Sequence, residues 1–441
     1  MGTPPNLMKR MLQSLGIGLF AIVFLSCQNT EPKSESSNDT PTKKEVTAKD
    51  ILGNPAYQAI SYGGYRHRDH GIEPTIAELK EDMKILYAMG IRVLRTYKLH
   101  LPHASNVVKA IRELKTEDPD FEMYVMLGVW INCENAFTEN PNHDGEDEEA
   151  NAKEIEQSIV LANEYPDIVK VIAVGNEAMV KWAASYFVQP GVILRWVNHL
   201  QELKSQGDLN PNVWITSSDN FASWGGGGEE YHVDDLNALI KAVDFISLHT
   251  YPMHDTHYNP AFWGNFDGEA DLTDLQKIDS AMHRARDYAV AQFNSVASYV
   301  EGLGVEKPMH IGETGWASAS NGHYGPEGSI ATDEYKEALY HQLIRAWTTE
   351  NKVACFYFEA FDEHWKDASN PGGSENHFGL FKIDGTAKYA LWDLVDQGVF
   401  EGLGRGGKPI GKTYNGNKDS LLQEILVPPV KEGTALTEYK F

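Results

Sequence analysis

Eight short apolar runs, separated by longer stretches of helical periodicity, constrain the fold of this 441-residue chain more than any other feature. No glycine-rich phosphate loop of a doubly wound sheet accompanies them, so the pattern predicts an α/β fold, a (β/α)8 TIM barrel with long βα loops. The runs begin near Ala59, Ile91, Met123, Val169, Val213, Asp244, Pro308 and Ala354. The helical stretches between them include 75–89, 148–164, 192–206, 275–301 and 332–350.

Residues 1–26 have the layout of a secretory signal, with Lys9 and Arg10 ahead of an apolar run. The Leu25-Ser26-Cys27 junction is typical of a bacterial lipobox, in which Cys27 carries the lipid, and an ordinary signal peptide or a single anchor is the alternative. Residues 27–50 are polar and predict a flexible tether. We therefore expect attachment to the bacterial cell envelope by the lipid anchor only, at the outer membrane, with surface exposure left open.

The rest of the chain divides into a barrel and a tail. Residues 51–397 hold the eight strands, whereas 398–441 are glycine-rich and irregular and are expected to pack on the barrel or to trail from it. In such barrels the chemistry lies where strands end and βα loops begin. Long segments follow several strand ends and predict the walls of a cleft, at 132–149, 224–234, 253–274 and 318–330.

Charge and cysteine content exclude several classes of function. The formal net charge of −25 argues against nucleic acid as a partner, because that binding depends on clustered Lys and Arg. Three cysteines, including Cys27, give neither a disulfide framework nor zinc spacing, so Cys133 and Cys355 are expected to be buried free thiols. The sixteen histidines match no metal motif, and neither metal nor cofactor is expected. A metal-dependent barrel hydrolase remains a separate alternative, to be tested with a chelator.

Two strand ends carry a glutamate behind a row of small or apolar residues. If both rows face the barrel interior, Glu177 and Glu313 emerge at its mouth on nearly opposite strands. Glycoside hydrolysis requires such a pair, because one carboxyl group protonates the leaving oxygen while the other attacks the sugar or activates water. For either glutamate alone, a salt bridge to a neighbouring strand is an equal alternative. The rows are Val171, Ala173 and Gly175 on the fourth strand and Met309 and Ile311 on the seventh.

A set of ordered motifs between about residues 59 and 392 resembles glycoside hydrolase family 17, the β-1,3-glucanase and glucanosyltransferase family of the clan A barrels. The chain departs from the plant members mainly in its loops: Ala317 follows Trp316 where they typically have proline, and 132–149 and 253–274 are insertions. The motifs are Arg95-Thr96-Tyr97, Val174-Gly175-Asn176-Glu177, Thr250-Tyr251-Pro252, Gly312-Glu313-Thr314-Gly315-Trp316, Phe361-Asp362-Glu363-His364-Trp365-Lys366 and Glu375-Asn376-His377-Phe378-Gly379-Leu380-Phe381-Lys382.

The resemblance implies a role for each matching residue. Glu177 would be the acid/base, Glu313 the nucleophile, and Asn176 the partner of the sugar 2-hydroxyl, in a retaining reaction with carboxyl groups about 5 to 5.5 Å apart. Trp130, Trp224, Trp263 and Trp365 lie at strand ends or in the loops that follow, where they either stack on sugar or pack beneath the loops. The remaining substrate-binding residues would be Tyr97, Tyr251, Trp316, Glu363, Lys366 and Glu375.

These expectations combine into one predicted function. The chain would be a monomeric, cofactor-independent glycoside hydrolase that cleaves β-1,3-glucan of the laminarin type by double displacement, with endo action. A β-1,3-glucanosyltransferase is the close alternative, because an acceptor sugar can release the same covalent intermediate. A glucan-binding lipoprotein without turnover is the alternative from another class. Branch tolerance and chain-length preference are not fixed by the motifs.

Overall fold

Eight parallel strands close into a barrel in a computed structural model that describes residues 45–436 and 438–441. The predicted signal segment, Cys27 and most of the predicted tether lie outside the described residues. The barrel order is β1-β2-β3-β6-β7-β8-β9-β10, which confirms the predicted (β/α)8 architecture. In chain order the strands are β1 (Gln58–Ser61), β2 (Ile91–Arg95), β3 (Tyr124–Val129), β4 (Cys133–Glu134), β5 (Asn142–Glu146), β6 (Val169–Asn176), β7 (Trp214–Asn220), β8 (Ile246–His249), β9 (Met309–Gly315), β10 (Cys355–Phe358), β11 (Gly404–Arg405) and β12 (Lys408–Pro409).

Helices surround this barrel and begin where the sequence supplies caps. Thr75 caps α2 in a capping box with Glu78, and Thr273 does the same for α8 with Gln276. No helix in the described part of the chain combines the length and apolarity needed to cross a membrane. The helices are α1 (Ala48–Ile51), α2 (Ile76–Ala88), α3 (His103–Glu117), α4 (Glu148–Glu164), α5 (Pro190–Gln206), α6 (Asp234–Ala242), α7 (Pro252–Tyr258), α8 (Asp274–Gly302), α9 (Glu334–Glu350), α10 (Trp392–Asp396) and α11 (Lys418–Gln423).

Two of the predicted long loops contain regular structure. In 132–149 the antiparallel strands β4 and β5 form a small ribbon. The segment 253–274 begins within helix α7. Pro252 lies in the first turn of this helix, where its missing N–H would have no hydrogen-bond partner. Cys133 and Cys355 are buried free thiols, as expected.

The lower end of the barrel, where the strands begin, is closed by α1. Ala48 and Ile51 are fully buried and belong to one apolar cluster with Val93, Val171 and Phe356. The last residues of the predicted tether are therefore part of the folded body, which corrects its boundary at residue 50. The physical reason is that an alanine and an isoleucine one turn apart give this short helix an apolar face to bury.

The described part of the segment 398–441 packs on the barrel through a buried ion pair. The guanidinium of Arg405 donates from Nε to Asp82 Oδ1 at 2.8 Å and from Nη2 to Asp82 Oδ2 at 3.0 Å, and Asp82 is fully buried on α2. Further along, the ring of Phe441 lies 5.2 Å from those of Tyr288 and Phe221. Charged and aromatic contacts thus bind this segment at two places.

Candidate active site

Glu177 and Glu313 both lie at the mouth of the barrel, where the strands end. Each follows a shift in strand register, between Ala173 and Asn176 in β6 and beside Leu248 and His249 in the pairing of β8 with β9. Glu177 itself has a positive φ of 47°. A register shift turns the next side chains toward a different face, so these irregularities aim both carboxylates into the mouth.

The predicted inward row is correct on β6 and wrong on β9. Val171 and Ala173 lie in the interior cluster, whereas Ile311 packs in the outer layer beneath the helices. A β-carbon at Gly312 would lie 2.1 Å from Ser247 Oγ, so the strand needs glycine where it bends toward the interior. The shift after Ile311 then returns Glu313 to the inside. Simple alternation is therefore not what directs this carboxylate.

Three donors hold the carboxylate of Glu313. Its Oε2 accepts from Arg95 Nη1 and from the Tyr97 hydroxyl, both at 2.7 Å, and its Oε1 accepts from the Tyr251 hydroxyl at 2.6 Å. Burial alone raises the pKa of Glu313, but its interaction with His249, the positive charge of Arg95 and the two tyrosine hydrogen bonds outweigh burial and lower the pKa below its ordinary value. Glu313 is thus an ionised carboxylate with fixed orientation.

Glu177 has the opposite environment. Burial, followed by repulsion from Glu313, raises the pKa of Glu177 to about 8. Its described side-chain partner is His249, whose Nδ1 lies 3.1 Å from Glu177 Oε1. Glu177 therefore keeps its proton at neutral pH. A protonated carboxyl group near an ionised one is the division of roles that glycoside cleavage requires.

Asn176 is hydrogen-bonded to the same guanidinium group that holds Glu313. Its Oδ1 accepts from Arg95 Nη2 at 2.6 Å, while Nη1 of the same guanidinium contacts Glu313. The carbonyl oxygen of Asn176 is thus engaged, and its amide nitrogen is the group that can donate. The contact of Asn176 with a sugar hydroxyl stays a prediction. One arginine thus fixes the relative position of Glu313 and the Asn176 amide.

The set of site residues predicted from the sequence omits two important members, His249 and Arg95. His249 is fully buried, with Nε2 2.8 Å from Ser218 Oγ, which in turn lies 2.9 Å from Ser247 Oγ. Burial lowers the pKa of His249 to about 4, so the ring is neutral at pH 7 and bonds Glu177 without adding charge. The signal in the sequence was position, because His249 ends β8 and Arg95 ends β2.

A second charged group of residues follows β10. Lys366 Nζ donates to Glu359 Oε2 at 2.7 Å and lies 3.5 Å from Glu363. Glu363 is itself buried and accepts from the backbone N–H of Tyr65 at 3.1 Å, where a β-carbon at Gly63 would collide with it at 2.1 Å. The structure thus assigns Glu363 to positioning the first βα loop.

Glu375 stands apart from this group, although it was predicted with it. It is exposed at the cleft, with Oε1 4.0 Å from His254 Nε2. Its negative charge is among the contributions that raise the pKa of Glu177. Glu375 is therefore accessible to a bound sugar, as its predicted role requires.

The expected sugar stacking by Trp316 is corrected by the structure. Trp316 has no exposed surface; its Nε1 donates to the Ala331 carbonyl and its ring packs against Trp263 and Tyr340. Trp224 and Trp263 are equally buried, so the packing alternative holds for all three. Their indoles support the long loops from beneath. Trp130 and Trp365 keep part of their surface exposed.

Metal ligands were not expected, and the histidines near the first and sixth strands do not assemble into a ligand set. In residues 45–436 and 438–441, the group that brings three potential ligand atoms within 4.8 Å of one another is Asp362, His364 and His377. Lys388 Nζ lies 2.8 Å from Asp362 Oδ1, and its charge opposes a cation at that carboxylate. Asp362 is therefore better described as part of a buried ion-pair network with Lys388 and Glu337.

Comparison with known proteins agrees with this geometry. Residues 59–379 match the family model described as the BtgE/BtgC glycoside hydrolase domain. A glucan 1,3-beta-glucosidase from Arthroderma benhamiae is 26% identical over 322 residues, which cover 71% of this chain and 83% of the fungal protein.

Two solved structures extend the comparison. An endo-laminarinase from Formosa Hel1_33_131 is 67% identical, covers 89% of this chain and 100% of its own, and superposes with a TM-score of 0.87. A glycoside hydrolase family 17 β-1,3-glucanosyltransferase from Rhizomucor miehei is 20% identical, with 76% and 96% of the two chains covered and a TM-score of 0.52. At that identity the second likeness shows the fold alone.

Proposed function

The chain belongs to the BtgE/BtgC glycoside hydrolase domain family, and from that premise we propose that it hydrolyses β-1,3-glucan by retaining double displacement with endo action. The observation that carries the proposal is the pair of glutamates at the barrel mouth, of which Glu313 is held by three donors while the pKa of Glu177 is raised. The linkage and the endo action rest on the likeness to the Formosa endo-laminarinase, which has 67% of its aligned residues in common with this chain.

In the first step an oxygen of Glu313 attacks the anomeric carbon while the glycosidic C–O bond breaks. Glu177 gives its proton to the departing oxygen, so the leaving sugar departs as a neutral alcohol. In the second step the Glu177 carboxylate takes a proton from water, the water oxygen attacks the same carbon, and the bond to Glu313 breaks. Two inversions restore the β configuration. Tyr97, Tyr251 and Arg95 hold the carboxylate of Glu313 in position for the attack.

The direct test incubates purified protein with linear β-1,3-gluco-oligosaccharides and follows product mass and anomeric form over time. Shorter oligosaccharides that first appear as β anomers support the proposal. Initial α anomers contradict retention. Products longer than the substrate identify the chain as a glucanosyltransferase, in which an acceptor sugar replaces water. Binding without turnover assigns the chain to the glucan-binding proteins, and activity that EDTA abolishes assigns it to the metal-dependent hydrolases.

The dependence of activity on pH follows from the two carboxyl groups. The active form has Glu313 ionised and Glu177 protonated, so kcat/KM should rise on the acid side at a pH below the ordinary glutamate pKa and fall on the alkaline side near pH 8. In Glu313→Gln the repulsive charge is gone, so the pKa of Glu177 should decrease. Carboxyl titration by 13C NMR of the two proteins measures this shift. An unchanged Glu177 pKa in the variant contradicts the proposed coupling.

We further propose that the chain is a monomeric lipoprotein attached through Cys27 to the outer membrane of a bacterial envelope. The support is the order of a basic start, an apolar run and the Leu25-Ser26-Cys27 junction. In cells fed an alkyne fatty acid, the wild-type protein should take up label and sediment with outer membranes. Cys27→Ala should take up none. Label in the variant, or sedimentation of the wild type with inner membranes, contradicts the proposal.

A further inference from the structure

An aromatic row lies between the loop that follows Glu177 and the tip of the ribbon β4–β5. It consists of Tyr186, Trp130 and Phe137, and no role in the reaction described above uses it. We infer that this aromatic row is an outer sugar-binding subsite for the leaving-group part of the glucan chain, with Phe137 as its outermost platform. The inference rests on the proposed function, because it takes the β-1,3-glucan substrate as given.

The three rings form a continuous apolar surface. The ring centroids of Trp130 and Tyr186 are 5.1 Å apart, and those of Tyr186 and Phe137 are 5.5 Å apart with nearly parallel planes. Trp130 and Tyr186 are half-buried, whereas Phe137 is 62% exposed. The row therefore runs from two half-buried rings to an exposed ring at the ribbon tip.

The ribbon is fixed to the loop that follows Glu177. The backbone N–H of Cys133 donates to the Tyr186 carbonyl at 3.0 Å, and that of Phe137 donates to the Ser185 carbonyl at 2.8 Å. His143 on β5 stacks on Phe187 with ring centroids 3.7 Å apart. The position of Phe137 is thus set, through backbone hydrogen bonds, by the same loop that follows the acid/base.

Phe137 is placed in a way that packing alone does not account for. It has a φ of 61°, a left-handed conformation that is unfavourable for a bulky residue, and the conformation leaves the aromatic ring exposed at the ribbon tip. Large flat apolar faces near polar groups bind the C–H faces of pyranose rings. A strained, exposed phenylalanine continuous with the cleft therefore fits a sugar platform.

The central ring of the row, Tyr186, identifies the side of the scissile bond. The Tyr186 pKa is raised by burial and then by acidic neighbours, among which Glu177 acts more strongly than Asp219 and Glu313. Tyr186 also lies in the loop that directly follows Glu177, which is closed where the backbone N–H of Val188 donates to the Ala178 carbonyl at 2.7 Å. The row is therefore next to the group that protonates the leaving oxygen. Sugars beyond that oxygen belong to the leaving group, so the row follows their path outward.

The test measures chain-length preference in the full-length enzyme. Phe137→Leu keeps an apolar side chain without a ring, and Phe137→Trp keeps a ring. An aromatic contact is worth about 0.5–1.5 kcal/mol, which corresponds to about 2- to 12-fold. Phe137→Leu should raise KM for laminarin and for long oligosaccharides by that factor, with kcat and the turnover of the shortest cleaved substrate within about twofold of wild type. Phe137→Trp and the helix-surface control Val160→Ala should match the wild type.

The bond that is cut gives a second readout. With laminarihexaose labelled at its reducing end, Phe137→Leu should release fewer long labelled fragments, because these fill the leaving-group subsites. Unchanged KM and cut positions overturn the inference, and a loss of short labelled fragments places the row on the opposite side. If the wild type cleaves no β-1,3-glucan, the proposed function fails separately. In that case the affinity for laminarihexaose, measured by calorimetry, tests the subsite. Equal affinities of the wild type and Phe137→Leu overturn it.

Discussion

Glu313→Ala is expected to lower kcat on β-1,3-glucan by about four orders of magnitude or more, because the variant has no group that can form the glycosyl-enzyme bond. Arg95, Tyr97 and Tyr251 each lose their acceptor on Glu313 and surround the space left behind. Azide can enter that space and attack the anomeric carbon in place of the carboxylate. Mass spectrometry and NMR should then detect an α-glycosyl azide, since a single displacement inverts the centre.

The control for this variant is Glu301→Ala, which removes an exposed glutamate at the end of α8 and should retain wild-type kcat. Circular dichroism should show equal folding of both variants. Residual activity of Glu313→Ala above one percent of wild type, or a β-glycosyl azide as the rescued product, is incompatible with Glu313 as the nucleophile.

Glu177→Ala is expected to show a defect that depends on the leaving group. With natural glucan, loss of the proton donor should lower kcat/KM by about 10²- to 10⁴-fold. With 2,4-dinitrophenyl β-laminaribioside, the dinitrophenolate leaves without protonation. The kcat/KM of the variant, which reports the first step, should therefore remain close to that of the wild type. The second step is then slow, and azide should accelerate it and yield a β-glycosyl azide.

The stereochemistry of the two azide products separates the two glutamates more sharply than activity alone. Glu177→Gln, which keeps the size of the side chain, should behave as Glu177→Ala does with the activated substrate. Equal losses on glucan and on the dinitrophenyl substrate are the result that would remove Glu177 from the acid/base role.

The barrel could be predicted from the sequence because its information is local. Alternating apolar residues in each strand and helical periodicity between strands identify the eight units, and strand ends such as Asn176-Glu177 follow from their position. The bend at Gly312 could not be predicted, because it depends on close contact with Ser247 on another strand. Register shifts of this kind are set by neighbours in space.

The errors over buried side chains have the same origin. Trp316 belongs to a motif typical of the family, but its burial is decided by Trp263 and Ala331, which reach it from two long segments. His249 was visible as a strand end, yet its bond to Glu177 links strands that are not consecutive in the chain. Sequence position indicates which residues reach the mouth. Their partners there are determined by the closure of the barrel.

The closure of the lower end of the barrel by α1 has a practical consequence. Glu45, just ahead of it, lies 3.2 Å from Asn212 and 3.7 Å from Lys170, both where strands begin. A support or reporter domain joined ahead of Glu45 is therefore attached on the face opposite the cleft. Beads coupled at that end should leave long polysaccharides free to enter, whereas coupling through the loops at the mouth should block them. Orientation on a surface can thus be chosen without altering the enzyme.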